Sequence, residues 1–153
     1  MLNIVLFQPE IPHNTGAIGR LCLATGARLH LIKPLGFSLE DKHLKRAGLD
    51  YWQEVDLRVW ESWEALRSKV SADAEVYFIE CQGTTDHWDA VLTAPEVFLV
   101  FGPETRGIPI SVIDPDKCLR IPMRGTRSLN LATAAGIVMY EALRQRTQAG
   151  ILS

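Results

Sequence analysis

Leu2-Asn-Ile-Val-Leu-Phe7, then Gln8-Pro-Glu-Ile-Pro-His-Asn-Thr-Gly16, then Leu29-His-Leu-Ile32 is the stretch whose reading decides the fold. The first run is short, largely apolar and halted by Gln8-Pro9, which predicts a buried strand. Ile18, Leu21, Cys22 and Leu23 then recur at helical spacing. Asn14 stands where an N-cap is expected and Gly26 where the helix should stop. Leu29 to Ile32 resumes as a strand. Strand, helix, strand within about thirty residues is the βαβ signature, which implies a parallel sheet covered on both faces.

The rest of the chain extends that pattern. Glu40 to Ala47 predicts a short helix ending at Gly48, Leu57 to Trp60 a strand, and Ser62 to Val70 a second helix. Glu75 to Ile79 reads as a strand. Val97 to Phe101, five apolar residues without alternation before Gly102-Pro103, reads as a central one. Leu119 to Ile121 is a short strand closed by Pro122, and a last helix is expected from Leu129 to Arg146. Leu131, Ala134, Ala135, Ile137, Val138, Met139 and Tyr140 make that helix apolar around most of its circumference, where a surface helix shows one stripe. Either a deep core position or a partner subunit would cover it. No repeat or linker interrupts the sequence, so residues 1–153 are expected to form one α/β domain.

Composition narrows the function classes. With 153 residues, 47% of them hydrophobic, the chain can bury a core, and disorder is excluded. No run approaches the roughly 18 apolar residues of a membrane span. Sixteen basic residues against 18 acidic ones give a net charge of −2. That average argues against a polybasic nucleic-acid wrapper but is blind to where the charges sit. Cys22, Cys81 and Cys118 are odd in number and contain no Cys-x-x-Cys pair. They read as small buried hydrophobes in a reducing compartment, and a cytoplasmic protein is expected. His13, His30, His43 and His87 form no i, i+4 pair, so no metal site is expected.

Ligands of open α/β sheets bind beyond the carboxyl ends of the strands. Three loops there have unusual composition: residues 8–16, 102–109 and 122–130. Gly102-Pro-Glu-Thr-Arg-Gly107 has the glycine spacing of a phosphate loop, but Ile108 and Pro109 replace the lysine and hydroxyl that such a loop needs. Gly102 marks either a close approach of backbone to ligand or a plain turn. Ser128 is either a helix cap or a ligand contact. Arg20, Arg106, Arg124 and Arg127 fall in or beside these loops, where an anion would sit. Lys42, Lys45 and Arg46 share one helix face, which is either solvated or a second basic patch.

Together the three loops resemble the motifs of the SPOUT class of RNA methyltransferases, and within it the minimal, single-domain enzymes of the tRNA wobble position. The likeness runs through Asn3 to Gly16 with Arg20-Leu-Cys22, through Leu99-Val-Phe-Gly-Pro-Glu-Thr-Arg-Gly107, and through Ile121-Pro-Met123 with Arg127-Ser-Leu-Asn-Leu131. Lys45-Arg-Ala-Gly-Leu-Asp-Tyr51 matches as well. The resemblance implies a mostly parallel sheet flanked by helices with a C-terminal trefoil knot, and a homodimer acting on tRNA. It implies S-adenosylmethionine as cofactor, with S-adenosylhomocysteine as product. Cofactor positions carry over to Ile79, Gly102, Ile121 and Ser128, with Met123 and Leu131 as neighbours. Arg20 carries over as the group that activates the ribose 2′-hydroxyl, helped by Asn14, Glu104 or Ser128. Arg106, Arg124, Arg127, Lys42, Lys45 and Arg46 are then the expected RNA contacts. Ala17 and Gln82 depart from the asparagine and lysine often found in the family, and the second departure removes one phosphate contact. The same chemistry at another RNA position, or a silent RNA-binding module, are the alternatives.

Overall fold

The computed structural model describes residues 1–151. Seven strands form one sheet: β1 (Leu2–Phe7), β2 (Arg28–Ile32), β3 (Leu57–Trp60), β4 (Glu75–Ile79), β5 (Thr85–Asp86), β6 (Val97–Phe101) and β7 (Cys118–Arg120). Their order is β3-β2-β1-β6-β4-β7-β5, and every pairing is parallel. Four helices accompany them: α1 (Pro12–Thr25), α2 (Lys42–Gly48), α3 (Trp63–Arg67) and α4 (Leu131–Gln148).

Alternation along the central strands sorts side chains between two cores. Leu2, Ile4 and Leu6 of β1 pack with Leu99, Ile18 of α1 and Val138 and Met139 of α4. Val5 and Phe7 point the other way, to Phe98, Val100, Phe78 and Leu66 of α3. Both faces of β1 and β6 are dry, which is why β6 reads as an unbroken apolar run and β1 as one interrupted only by Asn3.

Local chemistry moves several expected boundaries. α1 begins at Pro12, two residues before Asn14, because proline is well suited to a first helical position where no N–H partner is needed. Asn14 is therefore buried inside the first turn and is not the cap. Gly26 does end the helix, in the left-handed conformation (φ 73°). Asn130, not Ser128, caps α4, accepting from the Thr133 N–H at 3.2 Å. α3 is shorter than expected, and its Ser62 cap accepts from the Ala65 N–H. Of the cysteines, Cys22 is buried as expected, Cys118 is half-buried, and Cys81 is exposed.

One crossing departs from ordinary connectivity. β7 lies between β4 and β5, although only residues 80–84 join those two strands. That connection passes directly over β7: the Glu80 N–H donates to the Leu119 carbonyl at 2.9 Å. A Cβ on Gly83 would stand 2.7 Å from the Leu119 carbonyl carbon, so only glycine allows so close a passage.

Polar groups beneath β1, β2 and β3 form a closed network. The Trp60 Nε1–H donates to His30 Nδ1 at 3.0 Å, which leaves the imidazole proton on Nε2 to donate to Asn3 Oδ1 at 2.9 Å. Asn3 Nδ2 donates in turn to Glu96 at 2.6 Å. Burial pushes the His30 pKa down to about 4. Arg146, also buried, donates through Nη1 to the carbonyls of Leu92 and Ala94, tying the approach to β6 onto α4.

Candidate cofactor and RNA site

The loops leaving β1, β4, β6 and β7 all emerge at the carboxyl edge of the sheet, and together they enclose a cavity of about 480 Å³. That lies within the range of small-molecule sites. Its rim is fastened by two carboxylates that reach across to each other's loops. Glu104 accepts from the amides of Glu10 and Ile11 at 2.9 and 3.0 Å. Glu10 accepts from the amide and hydroxyl of Thr105 at 2.9 and 2.8 Å, and these bonds hold its carboxyl below the usual carboxylate range. Arg106 adds a third link, donating to Gln8 at 2.7 Å. Gln8 itself adopts a positive φ of 50° as the chain turns off β1.

The loop after β6 is bent tightly back on itself. A Cβ on Gly102 would lie 2.8 Å from the Ile108 nitrogen and 3.1 Å from the Gly107 carbonyl carbon. The close approach that Gly102 permits is to the backbone of its own loop, as a tight turn requires. Glu80, immediately after β4, accepts from the Ile108 N–H at 2.5 Å and so holds the far end of the same loop. On the opposite wall Asn130 donates to Asn14 at 3.1 Å, joining the start of α4 to the first turn of α1.

The six positions expected for the cofactor, Ile79, Gly102, Ile121, Met123, Ser128 and Leu131, all line this one cavity. Asn14, Glu104, Arg106 and Arg127 line it too. Arg20 does not; it is exposed on α1. Arg124 is exposed on the loop after β7, and Lys42, Lys45 and Arg46 are exposed on α2, with Lys45 paired to Glu40 at 2.7 Å. The basic residues thus divide into two at the cavity wall and a more scattered outer set. Sequence reasoning missed Glu10, Glu80 and Asn130. An acid at the carboxyl end of a strand was the available signal for Glu80. Among the described residues, no group of three or more His, Cys, Asp or Glu side chains could hold a metal ion.

The wall chemistry fits an adenosyl ligand. Apolar Ile79, Ile121 and Leu131 offer faces for a flat ring, and Gly102 and Gly107 line the same cavity without side chains. Arg106 and Arg127, which line the same cavity, are chemically suited to an anion.

Residues 1–140 match the profile of the SpoU rRNA Methylase family. The chain is 50% identical, over 154 aligned residues, to the tRNA (cytidine(34)-2′-O)-methyltransferase of Methylovorus glucosotrophus, an alignment that takes in 98% of this chain and 99% of that one. It superposes with a TM-score of 0.92 and 47% identity on a structure solved to explain 2-OH methylation of C/U34 on tRNA, covering 97% of both chains. The SpoU methyltransferase AviRb from Streptomyces viridochromogenes, in complex with the cofactor AdoMet, matches at a TM-score of 0.83 and 28% identity, over 97% of this chain and 61% of that one.

Proposed function

The chain belongs to the SpoU rRNA methylase family, and from that premise we propose that it is a tRNA 2′-O-methyltransferase acting on the ribose of the wobble nucleotide, 34. The observation that carries this reading is the convergence of all three motif loops on one cavity at the sheet's carboxyl edge. S-adenosylmethionine, when bound there, supplies an electrophilic methyl group. Ile79, Gly102, Ile121, Met123, Ser128 and Leu131 are the residues that would hold it, largely through backbone groups.

The remaining chemistry falls to side chains. A ribose hydroxyl is a poor nucleophile unless its proton leaves or its developing charge is stabilised. Arginine stays protonated in proteins and so cannot serve as a base. Arg20 is therefore assigned to stabilising the alkoxide or binding the adjacent phosphate. Its exposure on α1, away from the cavity of its own chain, suits a role at the cavity of a second copy. Ile137 and Tyr140, 38% and 48% exposed on α4, supply an apolar face for that homodimer. Asn14, with Oδ1 occupied by Asn130, keeps its amide nitrogen for the substrate side of the cavity. Glu104 is assigned a positioning role, since its carboxylate already accepts from two backbone amides. Ser128, exposed at the cavity wall, is assigned to cofactor and hydroxyl contact.

Arg106, Arg124, Arg127, Lys42, Lys45 and Arg46 are read as the RNA-facing cations. The passage of residues 80–84 over β7 supports the expected trefoil knot, and a reducing cytoplasm suits three free thiols. Incubation with methyl-labelled S-adenosylmethionine and bulk tRNA tests the whole reading. Nuclease digestion should place label on the 2′-oxygen of nucleotide 34. Label at another nucleotide would overturn the position, and absence of cofactor binding would overturn the activity.

A further inference from the structure

We infer that Glu80 is a specificity-determining residue of the cofactor cavity, its free carboxylate oxygen accepting hydrogen bonds from the ribose diol of the adenosyl group. The inference rests on the methyltransferase reading and deepens it.

Glu80 is fixed at three points before any ligand arrives. Its N–H donates to Leu119 of β7 at 2.9 Å, its carbonyl accepts from Gly83 at 3.1 Å, and its Oε1 accepts from the Ile108 N–H at 2.5 Å. Oε2 carries no partner among the described residues. Glu104, the other carboxylate on the cavity wall, takes two backbone N–H groups. Both good bonds share its Oε2, and its Oε1 keeps a 3.4 Å contact with the Glu10 N–H, whereas Glu80 Oε2 has no protein partner among the described residues. A Cβ on Gly107 would come 3.2 and 3.3 Å from the two Glu80 oxygens, so the missing side chain keeps the carboxylate open.

The chemistry of such an acceptor selects its donor. An acid that follows a parallel strand in an open α/β sheet is well placed to take the hydroxyls of a bound ribose. Hydroxyl donors suit a single fixed oxygen, and preorganisation reduces the ordering cost of binding. Arg106 and Arg127 on the same cavity wall are suited instead to carboxylate or phosphate. Sugar and anion thereby meet different side chains of the one cavity.

Calorimetry on the full chain tests this without turnover. The probes are S-adenosylhomocysteine, 5′-methylthioadenosine, and the 2′-deoxy and 3′-deoxy forms of the latter. Wild type should bind methylthioadenosine roughly tenfold or more tighter than at least one deoxy form, as expected for a hydrogen bond to a charged acceptor. Glu80→Gln retains an oxygen for the Ile108 N–H but replaces the free acceptor by an amide donor. In that variant the preference should shrink to less than about threefold. An unchanged preference in Glu80→Gln, or none in wild type, overturns the assignment and leaves the methyltransferase reading standing. In Glu80→Gln, weakened S-adenosylhomocysteine binding with unchanged methylthioadenosine binding would assign Glu80 to the ammonium group and overturn the ribose contact. Failure of wild type to bind any of the four probes would sink both readings. Should Glu80→Gln fail to fold, Glu80→Ala takes its place, and an unchanged preference there overturns the assignment equally.

Discussion

Two sets of polar groups, one beneath β1, β2 and β3 and one beyond the carboxyl ends of β1 and β6, use similar residue types to opposite ends. In the first, Trp60, His30, Asn3 and Glu96 hand hydrogen bonds along a closed chain. In the second, Glu10, Glu104, Thr105, Gln8 and Arg106 tie two loops together around an open cavity. Buried donors and acceptors are costly unless matched, so the inner network is complete and serves stability. The outer set leaves Glu80 and Asn14 with atoms to spare. Where a polar cluster is closed, the expected phenotype of a change is unfolding; where it is open, the expected phenotype is lost binding.

The sharpest way to break the comparison is to titrate the inner network. A buried His30 accepting from Trp60 resists protonation, and its folded pKa of about 4 lies below the unfolded value of 6.5. The unfolded chain takes up the proton first, so the contribution of His30 is intact above pH 6.5 and is lost as pH falls toward 4. The loss from this residue amounts to roughly 3 kcal/mol. Urea unfolding of wild type and His30→Phe at pH 7 and pH 4.5 checks it. The variant should be less stable at pH 7 but lose markedly less on acidification. Parallel losses would show that His30 does not set the slope.

Gly102→Ala should act in the opposite sense, on binding with little effect on folding. The added Cβ meets the backbone of Ile108 and Gly107, and backbone there cannot yield without moving the loop from Glu80. Overpacking of this kind predicts affinity for S-adenosylhomocysteine lower by about 30-fold. A variant that bound normally but melted early would place Gly102 among the structural glycines.

Glu104→Ala is expected to be milder. It leaves the Glu10 and Ile11 amides without their acceptor at a partly solvated rim, which predicts a KM for tRNA raised by about tenfold. Unchanged KM with a large drop in kcat would return Glu104 to the catalytic group.

These contrasts also mark how far the sequence could be read. The apolar runs of β1 and β6 and the three motif loops were legible, because strand burial and loop composition are local properties. The start of α1 was not placed correctly, since Pro12 and Asn14 are both acceptable near a helix start and the first helical position went to the proline. Ser128 and Asn130 posed the same ambiguity at α4. The place of Glu80 after a strand was readable, but its bond was not. Its partner, Ile108, lies 28 residues away, and the bond exists only because residues 80–84 cross over β7. The bonds of Glu10 and Glu104 span more than 90 residues, and no local pattern encodes them.

The smallest expected effect probes the outer set most finely. Thr105→Val removes the hydroxyl that donates to Glu10 but leaves the Thr105 amide bond in place. Glu10 lies in solvent, where hydrogen bonds are readily replaced by water, so the KM for tRNA should rise by less than about fivefold. The titration of Glu10 should nevertheless move. Its carboxyl is held down first by the Thr105 amide and then by the hydroxyl, so the clasp stays ionised above the usual carboxylate value and weakens as pH falls through the lowered one. Losing the hydroxyl should raise the Glu10 pKa without restoring the unperturbed value, a shift visible in the carbon chemical shift of its carboxyl by NMR. A full return to the unperturbed value would mean that the hydroxyl, and not the backbone of the loop after β6, holds the two loops together. The rim would then depend on one side chain, and the tenfold effect expected for Glu104→Ala would have to be revised downward.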